Sequence, residues 1–355
     1  MSEKKVPVSP PAPHAPPATA APQSEAVRLI ARKNAWNPLE IIFWLAALAT
    51  VFLLPKSYLL LNDIAILALF ALSLDLLLGY AGILSLGHAA FFGLGAYAAG
   101  LFAIHVSAEP VTGLVVAAAV AGVLGFLSSF LVLRGSDLTR LMITLGVALM
   151  LLEAANQARS VTGGADGLTG MVMDPVLGFF PFDLWGKTAY IYSLTVLFVL
   201  FLIARRLVRS PFGLSLTAIK GNLTRATSVG VHSNRRLVAV YTIAAVYAGI
   251  AGALLAQTSQ FVSLDVLAFQ RSADGLLVLV IGGTGYLYGG LIGAVIFKIM
   301  HDTISTITPQ YWLFWLGLLL VIIVMVGRDR IFAGPRRAVI WVGDRTARLL
   351  RRGER

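Results

Sequence analysis

Residues 79–100, GYAGILSLGHAAFFGLGAYAAG, place six glycines and one histidine in an otherwise apolar stretch. Each glycine costs about 1 kcal/mol relative to alanine inside an ordinary helix. From Ala89 to Gly100, small residues recur four positions apart, a spacing that lets two membrane helices approach closely. From Gly79 to His88, the glycines interrupt the apolar pattern. The stretch therefore predicts a helix break followed by a packing surface.

The composition of the whole chain indicates an integral membrane protein. Of its 355 residues, 58% are apolar and 13% are charged, and the mean hydropathy is +0.83. Soluble domains carry about 25% charged residues. The absence of cysteine excludes disulfides and cysteine-based metal or catalytic sites. The Walker A, GxSxG and HExxH motifs do not occur either, so the sequence predicts a non-catalytic chain.

Ten apolar stretches are candidate membrane spans, since a spanning helix needs about 20 mostly apolar residues. The eighth and ninth of these stretches, residues 273–284 and 289–301, could instead form one long helix or a broken one. The expected fold class is an all-α polytopic transmembrane helical bundle, with about ten spans and broken, glycine-rich helices. The ten candidates are residues 39–55, 62–79, 85–105, 111–133, 138–158, 188–204, 238–258, 273–284, 289–301 and 311–327.

The distribution of Lys and Arg predicts that the N and C termini are both cytoplasmic. Ten spans place four basic segments on one side of the membrane: the N-terminal segment, residues 134–140, residues 205–237 and the tail from residue 328. These segments hold five, two, seven and nine of the 28 basic residues, which leaves five for the other side. Cytoplasmic flanks carry such an excess. The net charge of +11 is therefore assigned to membrane flanks, and no nucleic-acid partner is expected.

Three regions are expected along the chain. Residues 1–35 are rich in Pro and Ala and predict a disordered cytoplasmic tail. Residues 36–328 form the transmembrane domain, with an external loop at 159–187 and a cytoplasmic loop at 205–237. Residues 329–355 form a basic cytoplasmic tail. The external loop carries four aromatic residues that predict a position at the outer membrane interface: Phe179, Phe180, Phe182 and Trp185.

Two glycine-rich stretches, at 79–88 and 281–290, are predicted to break helices and free polar backbone groups. At membrane depth such breaks are tolerated only against protein or a water-filled cavity. Interrupted segments in both halves of a chain indicate a transport pathway, whereas ordinary packing kinks are the alternative. The candidate pathway or gating residues are Gly79, Gly82, Ser85, Gly87, His88, Glu153, Gly282, Gly283, Gly285 and Gly289.

Four charged residues, Asp75, Glu153, Asp274 and Lys298, lie within or at the ends of apolar stretches. A charge at the centre of a membrane helix costs about 2.5–3.5 kcal/mol on insertion scales. These side chains are therefore expected to face the bundle interior, an aqueous cavity or a partner. For Glu153, solvation near the outer interface is an equal alternative.

The single histidine of the first break, His88, has no acidic or histidine partner at the spacing of metal ligands, so no metal site is expected. A hydrogen bond between helices is the favoured role for its ring. A role in pH sensing or in contact with a substrate is the alternative.

Five motifs carry a resemblance that extends in order over about residues 60–328. They are LLLGYAGILSLGHAAFFGLGAYAAG, TGGADGLTG, SPFGLSLTAIKGN, AGIAGALLA and VLVIGGTGYLYGGLIGAV. Together they resemble the permease subunit of branched-chain amino-acid ABC importers, the LivM type. The resemblance implies a multi-pass subunit of the bacterial inner membrane, with a second homologous permease, two cytosolic ABC ATPases and an extracytoplasmic solute-binding protein as partners. It implies no cofactor in this chain, because ATP and Mg are bound by the ATPases.

The same resemblance implies that residues 205–237 are the coupling loop, whose short helix sits in a groove of the ATPase. Helix-compatible residues run from Leu214 to about Ser228, and a glycine stands at a stop position after them. A helix that only anchors the loop on the membrane surface is the alternative. The residues that match the family pattern are Ser210, Pro211, Phe212, Gly213, Ala218, Ile219, Asn222, Ala226 and Gly230.

The sequence departs from the family pattern in the loop and in one membrane helix. The family usually has acidic residues where this loop has Gly221, Leu223 and Thr227, which implies a differently charged groove on the ATPase. At the position of Asp75 the family more often has Asn.

The main hypothesis is a permease subunit that forms a translocation pathway for branched-chain amino acids or related small polar or organic-acid solutes. The two glycine-rich breaks are its expected moving walls. The alternative is a stand-alone, ion-coupled secondary transporter or channel, with Asp75, Glu153 and Asp274 as its only candidate relays. A membrane-anchored scaffold is a third possibility, in which the glycine breaks have no part in transport.

Overall fold

The computed structural model describes residues 38–183, 185–307, 309–311, 314–315, 317–318 and 321. The tails predicted at 1–35 and 329–355, and most of the candidate span at 311–327, lie outside the described residues. The chain divides into two units, Met1–Thr50 and Val51–Arg355. The contacts and sites below all belong to the second unit.

The regular elements of the described residues are helices, with two isolated bridges, Leu168 to Val262 and Val176 to Phe180. The all-α prediction is therefore confirmed. Short 3₁₀ turns lie at Gly164–Asp166 and Leu264–Leu267. The helices are α1 (Pro38–Leu53), α2 (Tyr58–Asp75, continued by a π turn at Leu76–Ala81), α3 (Ala89–His105), α4 (Pro110–Val132), α5 (Asp137–Gln157), α6 (Arg159–Thr162), α7 (Lys187–Arg209), α8 (Pro211–Gly221), α9 (Leu223–Ser228), α10 (Ser233–Ser259), α11 (Phe269–Gly282) and α12 (Leu287–Ile307).

Six helices in the described part of the chain are long and apolar enough to cross a membrane: α2 with its π turn, α4, α5, α7, α10 and α12. Two shorter apolar helices occupy Glu40–Leu53 and Ala89–His105. Together with α11 (Phe269–Gly282), these helices place a helix in each of the first nine candidate spans. The count of ten spans and the cytoplasmic position of both termini stay predictions.

Helix α2 with its π turn is the most deeply buried of the six candidate spans in the described residues, and every side chain from Ile64 to Leu77 is buried. It packs against α7, α10, α11 and α12. A helix that is apolar on all sides has no face suited to water and is buried when neighbours surround it. Helix α5 is the opposite case, because most of its apolar surface is exposed in this single chain.

Small residues allow α3, α4 and α10 to pack with their backbones close together. A Cβ atom added to Gly95 of α3 would overlap the backbone of Gly249 in α10. One added to Gly252 of α10 would overlap the Phe92 carbonyl of α3, and one on Gly125 of α4 would overlap the Ala245 side chain. The packing surface predicted for the second half of residues 79–100 is therefore confirmed.

The second glycine-rich stretch separates α11 from α12. Gly283 and Gly285 have φ angles of 103° and 80°, which side-chain-bearing residues rarely adopt. The two helices then pack against each other, because a Cβ on Gly282 would overlap the carbonyl of Gly289. Residues 273–301 therefore form two helices with a break between them and not one long helix, and the number of membrane crossings that they make stays a prediction.

The loop that follows α7 contains two short helices instead of the single helix expected from Leu214 to Ser228. Helix α8 begins at Pro211 and is capped by Ser210, whose hydroxyl accepts a hydrogen bond from the Phe212 N–H at 3.2 Å. It ends before Asn222, whose extended backbone (φ −160°) and side-chain oxygen cap α9 by accepting from the Arg225 N–H at 2.9 Å. Asparagine is among the strongest N-cap residues, which explains the division at this position.

Candidate functional site

The first glycine-rich break begins where α2 widens into its π turn. Gly82 closes that turn in the left-handed conformation (φ 74°), as glycine commonly does at a helix C-terminus. Residues 82–87 then run without helix until His88, which precedes α3. The last carbonyls of a helix have no partner within it and need one elsewhere.

The two breaks meet, although they are about 200 residues apart in sequence. The Asp75 carboxylate, which is fully buried, accepts a hydrogen bond from the backbone N–H of Gly285 at 2.7 Å. A Cβ atom on Gly79 would lie 2.5 Å from that same nitrogen, so only glycine fits between the two chain segments. We call Asp75, Gly79, Gly82, Gly283 and Gly285 the glycine cluster.

The loop helix α8 contacts the glycine cluster through Lys220, a residue that sequence reasoning did not select. The Lys220 ammonium donates a hydrogen bond to the carbonyl oxygen of Gly79, with an Nζ to O distance of 2.7 Å. The aliphatic part of the same side chain lies beside Gly82, since a Cβ there would be 3.0 Å from Lys220 Cγ. The only feature of the sequence that could have indicated this contact was a basic residue in the last turn of a loop helix.

His88 immediately precedes α3, and its ring is buried between α2 and α3. Its Nε2 atom is 2.9 Å from the Ser73 hydroxyl, and its ring lies 5.6 Å from the Phe70 ring and 5.4 Å from the Phe91 ring, between centroids. This is the interhelical hydrogen bond favoured for His88. Among the described residues, no three His, Cys, Asp or Glu side chains are grouped as a metal site would require.

Two polar atoms of the break, the His88 Nδ1 and the Ser85 hydroxyl, are buried and have no hydrogen-bond partner among the described residues. The first of the two belongs to a ring that packs against Phe70 and Phe91. Buried polar atoms without partners are rare and cost free energy, and a bound water can satisfy them.

Two of the predicted pathway residues lie apart from the glycine cluster. Gly87 packs against α5, because a Cβ atom there would overlap the carbonyl oxygen of Thr144. Glu153 is exposed on α5, where its carboxylate accepts a hydrogen bond from the Gln157 side chain at 2.6 Å. The structure thus gives Gly87 a packing contact and does not bring Glu153 to either break.

A cavity of about 400 Å³ lies between α2, α10, α11 and α12. Its wall contains the pair Lys298 and Asp63, with an Nζ to Oδ2 distance of 2.8 Å. We call it the charged cavity, because acidic and basic side chains line it together with aromatic rings. Its polar lining residues are Asp63, Asp265, Gln270, Arg271, Asp274, Lys298 and His301, and its aromatic ones are Phe70, Phe92 and Phe297.

Further contacts position the charged side chains around this cavity. The Gln270 amide donates a hydrogen bond to Asp274 at 3.1 Å, one helical turn further along α11. The Arg271 guanidinium lies over the Phe92 ring at 5.5 Å. Sequence reasoning selected Asp274 and Lys298 as charges within spans, and the structure brings both to the same cavity.

The charged cavity and the glycine cluster occupy opposite ends of the same helices. In α2, Asp63 and Gly79 are 16 residues apart, which corresponds to about 24 Å along a helix axis. In α11, Asp274 lies near the first turn of the helix, and the second glycine-rich break follows the last turn. Phe70 lies between the cavity and the first break, since it lines the cavity and also contacts the ring of His88 at the end of that break.

The loop helices α8 and α9 present one buried side and one exposed side. Gly213, Ile219 and Ala226 are buried, whereas Ala218 and Asn222 are exposed. Apolar side chains remain on the outer surface, with exposed fractions of 65% for Leu214, 48% for Leu223 and 81% for Val229. Of the other predicted loop residues, Ser210 and Phe212 are half-buried, and Pro211 and Gly230 are exposed.

Comparison with known proteins gives consistent matches over the membrane region. Residues 58–324 match the family described as branched-chain amino acid transport system / permease component. The high-affinity branched-chain amino acid transport system permease protein LivM of Escherichia coli K12 is 26% identical over 275 residues, which cover 72% of this chain and 64% of LivM. LivM of Salmonella typhimurium is 27% identical over 280 residues, with the same coverage.

A more distant relative is the ribose import permease protein RbsC of Bacillus subtilis, 26% identical over 46% of this chain and 56% of RbsC. No solved structure matches the chain. The family match covers most of the sequence and includes the glycine cluster, the charged cavity and the loop helices. The chain therefore belongs to the family of permease components of branched-chain amino acid transport systems, multi-pass proteins of the inner membrane.

Proposed function

We propose that this chain is the transmembrane permease subunit of an ATP-driven importer and forms a translocation pathway with a second homologous permease. Its solutes are branched-chain amino acids or related small polar or organic-acid compounds. Two cytosolic ABC ATPases bind ATP and Mg and dock on the loop helices α8 and α9. An extracytoplasmic solute-binding protein delivers the solute to the opposite side.

The observation that carries this proposal is the arrangement of α2, α11 and α12. These helices line a cavity with charged and aromatic side chains at one end and meet in two glycine breaks at the other. The loop helices lie beside the breaks, as the Lys220 contact shows. A site that receives solute, a deformable segment and a docking surface are thus connected through the same helices, which is what an alternating pathway requires.

The mixed charge of the cavity supports a solute that carries both an ammonium and a carboxylate group. Asp63, Asp265 and Asp274 are suited to the ammonium, and Arg271 and Lys298 to the carboxylate. The three aromatic rings of the lining are suited to an apolar side chain. The cavity volume of about 400 Å³ lies in the range of small-molecule sites.

Replacing Lys298 by Met is expected to lower uptake about tenfold and to leave assembly intact. The Lys298 and Asp63 side chains are 24% and 44% exposed, and such partly exposed pairs contribute little stability. The effect should therefore appear in transport, where Asp63 would face the solute without its counter-charge. Initial uptake rates at saturating solute-binding protein measure this. Lys187→Met, an exposed lysine outside the cavity, is the matched control, and equal rates for both variants would contradict the role of the cavity.

The proposal as a whole is tested by purifying the tagged chain from its native membrane and reconstituting the complex in liposomes. We expect two ATPases and a second permease to co-purify. Uptake of one of three probes, leucine, urea or benzoate, should require both ATP and the solute-binding protein. Uptake by this chain alone under an ion gradient would instead support the secondary-transporter alternative.

A further inference from the structure

Lys220 joins the loop that follows α7 to a carbonyl at the end of α2, 141 residues earlier in the chain. We infer that Lys220 is the positioning residue through which movement of the loop helix α8 is transmitted to the glycine cluster. This inference rests on the proposed function, and it adds a specific residue contact to it. The contact lies inside this chain and is formed without any partner subunit.

The acceptor of Lys220 is a carbonyl that the fold leaves available. Gly79 lies in the π turn that ends α2, and the last carbonyls of a helix have no acceptor role within it. A positive charge at a helix C-terminus is favoured by the helix dipole, and a charged donor makes a stronger hydrogen bond than a neutral one. The 2.7 Å distance is typical of such a bond.

Gly82 provides the space that the lysine side chain needs. Its φ of 74° turns the chain away from α2, and a Cβ atom at this position would lie 3.0 Å from Lys220 Cγ. Helix α8 also packs against α7, α10 and the π turn that ends α2, and its Leu216 and Ile219 side chains are buried. A displacement of α8 therefore also displaces the Lys220 side chain.

Gly79, which carries the carbonyl that Lys220 binds, also contacts the second break. Gly79 leaves room for the Gly285 nitrogen, and that nitrogen donates to Asp75, four residues before Gly79. Asp75 thus supplies a hydrogen-bond acceptor to the segment just before α12. Lys220 places a positive charge at the end of α2, where the helix dipole favours it. A displacement of Gly79 by Lys220 therefore changes the positions of both breaks.

Arg225, the other basic residue of α8 and α9, offers a matched control. Arg225 is exposed, as Lys220 is. Lys220 donates a hydrogen bond to Gly79, whereas among the described residues no side-chain hydrogen bond joins Arg225 to a membrane helix. Arg225→Met therefore removes the same charge from the same loop without touching the glycine cluster.

The test uses the complete reconstituted importer with the probe that the parent complex takes up. Lys220→Met should keep the ATPases bound and their basal hydrolysis, while uptake per ATP hydrolysed falls at least tenfold. Lys220→Arg, which retains a charged donor, should recover at least half of the parental ratio. Arg225→Met should stay within twofold of the parental ratio.

A distance measurement separates transmission from a purely structural role. The chain contains no cysteine, so spin labels can be placed at the exposed residues Thr217 of α8 and Tyr286 of the second break. With the other subunits free of reactive cysteine, trapping the ATPases with ATP and vanadate should change the label distance in the parent and in Lys220→Arg. In Lys220→Met the distance distribution should broaden or stay unchanged while α8 remains docked.

Three results would overturn the inference. The first is an unchanged ratio of uptake to hydrolysis in Lys220→Met, and the second is a failure of Lys220→Arg to restore that ratio. The third is loss of the ATPases from purified Lys220→Met, which would assign Lys220 to the docking surface. Failure of the proposed function looks different, since the parent complex would then show no ATP-dependent uptake at all.

Discussion

Replacing Gly79 by Ala is expected to lower solute uptake at least tenfold, because the added methyl group would force the two glycine breaks apart. The new Cβ would lie 2.5 Å from the Gly285 nitrogen and would overlap the Asp75 carboxylate. A backbone nitrogen cannot move aside as a flexible side chain can, so α12 must shift away from α2. Overpacking of this kind typically costs about 1–3 kcal/mol.

The matched control for Gly79→Ala is Gly146→Ala in α5. An added Cβ at Gly146 meets nothing within 4 Å, and alanine is the better helix former. Uptake per assembled complex should therefore be unchanged in this variant. Normal uptake in Gly79→Ala would show that the two breaks need not stay in contact. Loss of the partner subunits from Gly79→Ala would show that the contact serves only packing.

Replacing Asp75 by Leu is expected to lower uptake at least tenfold, whereas Asp75→Asn should keep at least half of it. Leucine has no acceptor for the Gly285 N–H, and an unsatisfied buried donor costs about 1–3 kcal/mol. The asparagine side chain keeps an oxygen at nearly the same position and can accept the same hydrogen bond. Uptake rates, normalised to the amount of assembled complex, measure both variants.

The same pair of variants separates the importer from an ion-coupled transporter. A proton or cation relay needs an ionisable carboxylate, which asparagine lacks. If Asp75 is a relay, Asp75→Asn should be as inactive as Asp75→Leu. If Asp75 acts through its hydrogen bond to Gly285, only the leucine variant should fail.

The sequence was sufficient to predict most of the membrane helices. The apolar stretches that became α2, α4, α5, α7 and α10 are long enough to cross the hydrocarbon core. The small residues from Ala89 to Gly100, among them Gly95, were correctly assigned to a packing surface. Which helix would pack there was not predictable, because spacing along one helix does not identify its neighbour.

The candidate site was predicted less completely. The two glycine breaks were located by their composition, but the hydrogen bond from Gly285 to Asp75 was not foreseen. Lys220 was overlooked, since a lysine in a basic loop is ordinarily assigned to a solvated surface. Asp274 and Lys298 were recognised only as separate charges, and their shared cavity arises from the fold-back of α11 and α12.

The sequence alone determined that this protein is a bundle of apolar helices interrupted twice by glycine. The physical reason is local. In lipid each backbone group must be paired within its own helix, so the length of an apolar stretch and the position of a glycine break can be recognised from consecutive residues. Only the tertiary structure decided that the breaks meet, that Lys220 reaches them and that Asp63 pairs with Lys298. Those contacts join residues 141 to 235 positions apart, and their formation depends on how the helices are arranged in space.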